Sequence, residues 1–219
     1  MINHHPNDDM LVSFAAGSLQ EGFSLLVATH VSLCARCQER IRVAEAVGGS
    51  LLAASAPVEI DSDALDQVMR RIAEEPHDVV EPKRFEAIRN PDVPAPLREF
   101  VPGTFEEMPW RMLAPGVKQI VLPLDQGSSS TKTRLLRLAP GYVTPAHSHK
   151  GREVTLVLQG SFSDELGRYG PGDFQEADGE VNHQPMADTG EACICLAVTD
   201  APLKFDNLVG KILQPLFGY

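Results

Sequence analysis

The residues with the most evident chemistry lie in one short stretch, His30-Val31-Ser32-Leu33-Cys34-Ala35-Arg36-Cys37, which puts an imidazole and two thiols within eight positions. Two cysteines separated by two residues can wrap a tetrahedral ion from a helix start, and a histidine one turn upstream adds a third donor from the preceding helix. Nitrogen and sulfur donors together suit a soft divalent ion, zinc first. The fourth donor has to come from elsewhere, and His4 and His5 are the other nearby imidazoles.

A second constellation lies more than a hundred residues downstream. Gly141 is followed after five residues by His147-Ser148-His149, then after three more by Glu153 and after another six by Gly160, which is the spacing of the first cupin motif. Residues two apart on an extended segment project to the same face, so His147 and His149 point one way. Glu153 returns from the next strand across a turn at Gly151. Tyr169-Gly170-Pro171-Gly172-Asp173 resembles the cupin proline-glycine turn, and His183 stands where a second motif supplies its histidine. Three imidazoles and a carboxylate inside a small barrel suit Zn, Mn, Fe or Ni. The other close pair of thiols, Cys193 and Cys195, alternates with apolar residues along a strand, a pattern that reads as packing before redox chemistry.

Two kinds of element must position these groups. A helix over 8–16 takes its cap from Asn7 or Asp8 and its stop from Gly17; Ser18 and Glu21 make a capping box for a second helix that points His30 inward. A third helix from Cys34 carries Cys37, Ile41, Ala44, Val47 and Leu51 as a stripe expected to pack on the second, and a fourth is expected over 62–75 with Leu65, Val68, Met69 and Ile72 on one face. Five prolines then mark 76–96 as a charged linker. From 97 onward, short apolar runs between Gly and Pro turns, among them 110–113, 117–124, 133–138, 153–158, 161–164, 191–198 and 203–205, read as an antiparallel barrel or sandwich, with 208–217 as a closing helix or strand. The expected fold class is therefore α+β in two domains, a small all-α unit over 1–75 and an all-β cupin over 97–219.

Composition bounds the function. Hydrophobic content of 43% and charged content of 22% are those of a soluble globular chain of 219 residues. No apolar run reaches a membrane span and no basic-then-apolar export signal opens the chain, so a cytoplasmic protein without a membrane partner is expected. Net charge is −11, and residues 1–95 carry 8 basic against 15 acidic side chains. That balance disfavours direct contact with nucleic acid and permits a basic protein partner.

Together, the histidine-cysteine set, the proline-rich linker and the cupin motif resemble the ChrR-type members of the zinc-binding anti-sigma factor family. The likeness extends to Ala15-Ala16-Gly17, Ala46-Val47-Gly48-Gly49-Ser50-Leu51, Thr155-Leu156-Val157-Leu158-Gln159-Gly160 and Cys193-Ile194-Cys195-Leu196-Ala197. It implies a four-helix domain that clasps an extracytoplasmic-function-type sigma factor, one to one, and occludes its polymerase and promoter contacts. It further implies that the cupin answers oxidative stress, singlet oxygen in the best-known branch. By that resemblance His5, in preference to His4, joins His30, Cys34 and Cys37 as ligands of zinc, and His147, His149, Glu153 and His183 hold the cupin metal. Two routes of sensing stay open, one at the cupin metal and one by oxidation of Cys34 and Cys37. The alternative function is a metal-dependent, dioxygenase-like cupin enzyme with a regulatory helical arm.

Overall fold

The computed structural model describes residues 1–74, 92–124, 131–179, 181–201 and 203–205. Helix α1 (Asp8–Ala15) starts where Asn7 turns extended and its side-chain oxygen accepts the Met10 N–H at 2.8 Å. Gly17, at φ +67°, ends it in the left-handed conformation. The expected capping box does not form. The Ser18 hydroxyl returns to the Ser13 carbonyl, as does its N–H, so the serine closes α1; α2 (Glu21–Leu33) then starts after an extended Gln20 with no side-chain cap. Cys34 is extended (φ −121°, ψ 100°) and is at once the end of α2 and the cap of α3 (Ala35–Ala54). The first cysteine is thus the corner between the two helices.

The expected four-helix core is only partly realised. Met10, Leu11, Phe23, Leu26, Val27, Cys37 and Ile41 are buried, but α3 leaves Val43, Val47, Leu51 and Leu52 exposed. Helix α4 (Ala64–Glu74) buries none of its residues. The stripe predicted to run buried to Leu51 is covered only as far as Ile41, because no other described element lies over the rest.

The β half contains β1 (Arg111–Ala114), β2 (Val117–Val121), β3 (Lys132–Leu138), β4 (His147–His149), β5 (Glu153–Gln159), β6 (Phe162–Asp164), β7 (Gly167–Tyr169), β8 (Phe174–Ala177), β9 (Met186–Ala187), β10 (Cys193–Thr199) and β11 (Leu203–Phe205). A six-stranded sheet runs β1-β2-β3-β10-β5-β8, beside a β7-β6-β9 sheet and a β11-β4 pair, and every pairing is antiparallel. The segment 208–217 lies outside the described residues. No helix among the described residues is long and apolar enough to cross a membrane.

Both faces of the central strands are covered. Along β10, Ile194, Leu196 and Val198 join one cluster with Val154, Leu156 and Phe174 and with the helical residues Leu26 and Val27, while Cys193 and Cys195 join another with Leu138, Val157 and Phe162. Period-two alternation therefore sends one set of side chains to the helices and the other into the barrel. Val93 and Leu97, the latter in a 3-10 turn (Ala95–Leu97) against α2, are fully buried in the first cluster. Burying a Leu or Phe contributes about 1.5–3 kcal/mol, so this seam fixes α2 firmly on the sheet.

Candidate metal centres

The extended Cys34 and the first turn of α3 aim both thiols at the inward face of α2, where His30 is fully buried. The N-terminal tail comes across this corner. His5 Nδ1 lies 3.4 Å from Cys34 Sγ and 3.5 Å from Cys37 Sγ, and His30 Nε2 lies 3.3 Å from Cys37 Sγ. All four donor atoms fall within 4.8 Å of one another. Tetrahedral zinc, with bonds of about 2.3 Å to sulfur and 2.0–2.1 Å to nitrogen, sets neighbouring S and N donors about 3.6 Å apart, so the group fits such an ion. His4 takes no part; its ring faces Tyr169 at 4.5 Å and its Nδ1 lies 3.5 Å from Asp173.

The protonation states follow from burial. Burial pulls His30 down to about 4, opposed by the Gly172 carbonyl and Asp173 and reinforced by His5. Burial, then Arg36 and Arg40, lower His5 as well. Both imidazoles are thereby neutral, as a ligand must be. Burial and then the Cys34 thiol push Cys37 up to about 12, so a metal ion entering this site displaces a thiol proton.

The barrel supplies the surroundings of this centre. His30 Nδ1 donates to the Gly172 carbonyl at 2.9 Å, which makes Nε2 the ligand nitrogen. One carboxylate oxygen of Asp173 accepts the N–H groups of Asn3 (2.6 Å) and His4 (2.9 Å), and the other accepts Gly170 N–H at 2.9 Å. The Phe174 N–H donates to the His4 carbonyl at 3.2 Å. The tail that presents His5 is thus pinned to the turn before β8.

The second set lies in the barrel lumen. His147, Glu153 and His183 line one cavity of about 140 Å³. The N–H of His147 donates to the His183 carbonyl and the reverse, each at 3.1 Å, and the two rings are 4.7 Å apart. His147 Nδ1 donates to the Pro145 carbonyl and His183 Nδ1 to Asp164 Oδ2, both at 2.9 Å, which leaves Nε2 of each as the basic nitrogen. Such outer partners are what metal-binding imidazoles require. Register places His149 opposite Leu203; its side chain lies outside what the structure describes. Among the described residues, only the N-terminal four converge as tightly as a closed site does.

Asp164 and Gln175 escaped the sequence reading. Asp164 has a fully buried side chain and also accepts Gln175 Nε2 at 2.6 Å. Burial opposes its charge, but hydrogen bonds from His183, Gln175 and the Leu166 backbone hold its carboxyl below the ordinary range. Its distance of 19 residues from His183 carries no sequence signal. Asp173 was singled out only as part of a turn. Cys193 and Cys195 sit with Sγ atoms 3.5 Å apart in the lumen cluster, and the Cys193 thiol and burial raise Cys195 well above its ordinary value. They act there as small hydrophobes.

Comparison with known proteins agrees with this anatomy. Residues 100–202 match the family described as ChrR Cupin-like domain. The anti-sigma-E factor ChrR of Cereibacter sphaeroides is 44% identical over 216 residues, 99% of this chain and 98% of that one. In the crystal structure of Rhodobacter sphaeroides SigE in complex with the anti-sigma ChrR, the matching chain has a TM-score of 0.78 at 44% identity and covers 91% of this chain and 100% of its own. On that identity over almost its whole length, the chain belongs to the ChrR family of anti-sigma factors.

Proposed function

We propose that this chain binds an extracytoplasmic-function-type sigma factor one to one in the cytoplasm and occludes it. The observation that carries this reading is the pair of uncovered apolar faces on α3 and α4. On α4, Leu65, Val68, Met69 and Ile72 follow the i, i+3, i+4, i+7 spacing of one helix face, and all are at least half exposed. A solvent-facing stripe of that size marks a protein interface. The relative with 44% identity is seen bound to SigE. The acidic balance of residues 1–95 complements the basic surface that a DNA-binding partner carries. Exchanging Val68 and Ile72 together for Glu should weaken capture of the cognate sigma factor at least about tenfold, with an unchanged melting temperature because α4 packs on nothing described. Undiminished capture would overturn the assignment.

In this reading His5, His30, Cys34 and Cys37 hold zinc as a closed structural site, tying the tail to α2 and α3. His147, His149, Glu153 and His183 hold the second metal, zinc or another of Mn, Fe and Ni. Residues 76–96 link the sigma-binding unit over 1–75 to the cupin over 97–219. Bound at the cupin, the metal supplies the chemistry that answers oxidative stress, singlet oxygen included. Support comes from the imidazoles oriented by Asp164 and Pro145 and from membership of a regulatory family, which sets aside the enzymatic alternative. Glu153→Ala or His183→Ala should abolish release of the sigma factor under stress while leaving inhibition intact; an unchanged response would place the sensor elsewhere, at Cys34 and Cys37.

A further inference from the structure

The tail ahead of α1 runs between two bodies, and its contacts are shared between them. Toward the barrel, Ile2 lies against Gly172, and the Asn3 and His4 N–H groups donate to Asp173. The His4 carbonyl accepts the Phe174 N–H at 3.2 Å, and Asn7 Nδ2 donates to Glu176 Oε2 at 2.8 Å. Toward the helices, His5 Nδ1 faces Cys34 and Cys37, and Arg40 of α3 donates to the Pro6 carbonyl at 3.5 Å and pairs with Asp8. Residues 3 to 7 therefore advance in step with 173 to 176, side by side and in the same direction. Strand β8 is the last strand of the six-stranded sheet, with β5 on one side. The tail lies along the other side, where an edge strand otherwise presents unpaired N–H and C=O groups.

Hydrogen bonds alone hold such a segment poorly. A chain terminus has one free end, and fixing each of its residues costs backbone entropy that a few exposed or half-buried hydrogen bonds barely offset. Asn3 and Asn7 are exposed, and His4 and His5 are half-buried. The strongest attachment open to the tail is at its middle, where His5 completes four donors within 4.8 Å of one another. Ligation of His5 ties that point to Cys34 and Cys37, and so fixes the residues on either side of it against β8.

We propose that residues 2–7 form a metal-fastened strap: the tail stays along β8 while His5 is ligated with His30, Cys34 and Cys37, and uncovers that edge of the barrel when His5 is free. The inference rests on zinc filling this site. Docking of the tail and binding of the metal share one equilibrium, so the coupling runs both ways. Whatever draws β8 away from the tail loosens the metal by the same factor as loss of the metal loosens the tail. Glu176, outside the donor set, is by this argument a positioning residue for His5 that acts through Asn7.

Cobalt exchanged into the full chain gives thiolate-to-metal absorption from a site with cysteine ligands, so the N-terminal corner is read apart from a histidine and carboxylate set. Loss of that absorption to a chelator measures release. In the zinc-loaded chain, NMR-detected exchange of the Phe174 amide should accelerate at least about tenfold when the metal is removed, with the Leu156 and Leu196 amides inside the sheet unchanged. Asn7→Asp keeps the oxygen that caps α1 and adds a favourable charge at its start, so a role confined to the helix predicts equal or slower metal release. The strap predicts the reverse: the introduced carboxylate faces Glu176, and metal release and Phe174 exchange should both rise about threefold or more. Glu176→Gln added to it supplies a donor, keeps an acceptor for Arg152, and should return both rates to within twofold of the parent. Absence of thiolate absorption would overturn the metal assignment and the strap with it. A thiolate-ligated metal whose removal leaves Phe174 exchange within twofold or speeds the interior amides equally, unchanged release from Asn7→Asp, or no rescue by Glu176→Gln would overturn the strap and leave the metal assignment standing.

Discussion

Replacement of Asp173 by Asn tests whether the barrel holds the N-terminal metal site together. The side chain is 4% exposed and its two oxygens take three backbone N–H groups, two of them on the tail residues that precede His5. Asn keeps the volume but loses the charge and turns one acceptor into a donor, which then faces an N–H. Charge-assisted hydrogen bonds are about twice as strong as neutral ones and contribute about 1.5–3 kcal/mol each. Weakening the two tail contacts and losing the third should cost about 2 kcal/mol in holding the tail. The open state, in which His5 leaves the thiols, then becomes roughly 30-fold more populated. Mixing zinc-loaded full-length protein with a chromophoric chelator should show release faster by about that factor. Release within twofold of the parent would refute the reasoning. The sign of the acid dependence follows from the same contacts. Burial opposes the charge on Asp173, but the Gly170, His4 and Asn3 N–H groups hold its carboxyl below the ordinary value. Its contribution is therefore fully present above the unfolded value of about 3.9 and is lost as pH falls through the folded one. The Asn variant should lose the corresponding part of the protein's acid sensitivity.

Two further substitutions probe the same frame. Asp164→Asn removes the carboxylate that fixes the His183 tautomer and should weaken metal binding at the cupin by about 10- to 100-fold, read by competition with a fluorescent chelator; equal affinity would deny Asp164 a positioning role. Gly172→Ala combines φ +87° with a Cβ 2.6 Å from Ile2 Cδ1, so it should destabilise the fold by about 1–3 kcal/mol in urea and displace the tail. A wild-type unfolding midpoint would show that the tail yields freely.

Legibility in the sequence divided along physical lines. His30, Cys34 and Cys37 are close in sequence, and the corner between two successive helices is enough to bring them together, so their gathering was readable before any fold was known. Helix periodicity identified Val47, Leu51, Leu65 and Ile72 as stripes but not what covers them, and the expectation that the α3 stripe packs on the second helix as far as Leu51 failed. An apolar helix face states that a partner exists, not that it lies in the same chain. The capping box failed for a related reason. Ser18 satisfies the cap rule for α2, but Gly17 turns the chain so that its hydroxyl meets the end of α1 first. Asp164 and Asp173 act through contacts 19 and about 170 residues away, where spacing says nothing.

Strand β8 and the turn before it show why such long-range contacts matter. Gly172 and Asp173 hold His30 and the tail; Phe174 turns outward to meet the His30 ring edge-on at 5.7 Å; Gln175 turns inward to Asp164, which holds His183. Four consecutive residues thus support the surroundings of both candidate centres. Strand alternation makes this possible, because neighbours on one strand serve opposite faces of the sheet. It also makes the support rigid, since β8 is paired to β5 from Glu153↔Ala177 to Leu156↔Phe174 and cannot slip by one residue without exchanging its faces. A movement of His183 large enough to disturb Asp164 and Gln175 must therefore either break that pairing or carry the Gly172 and Asp173 contacts with it.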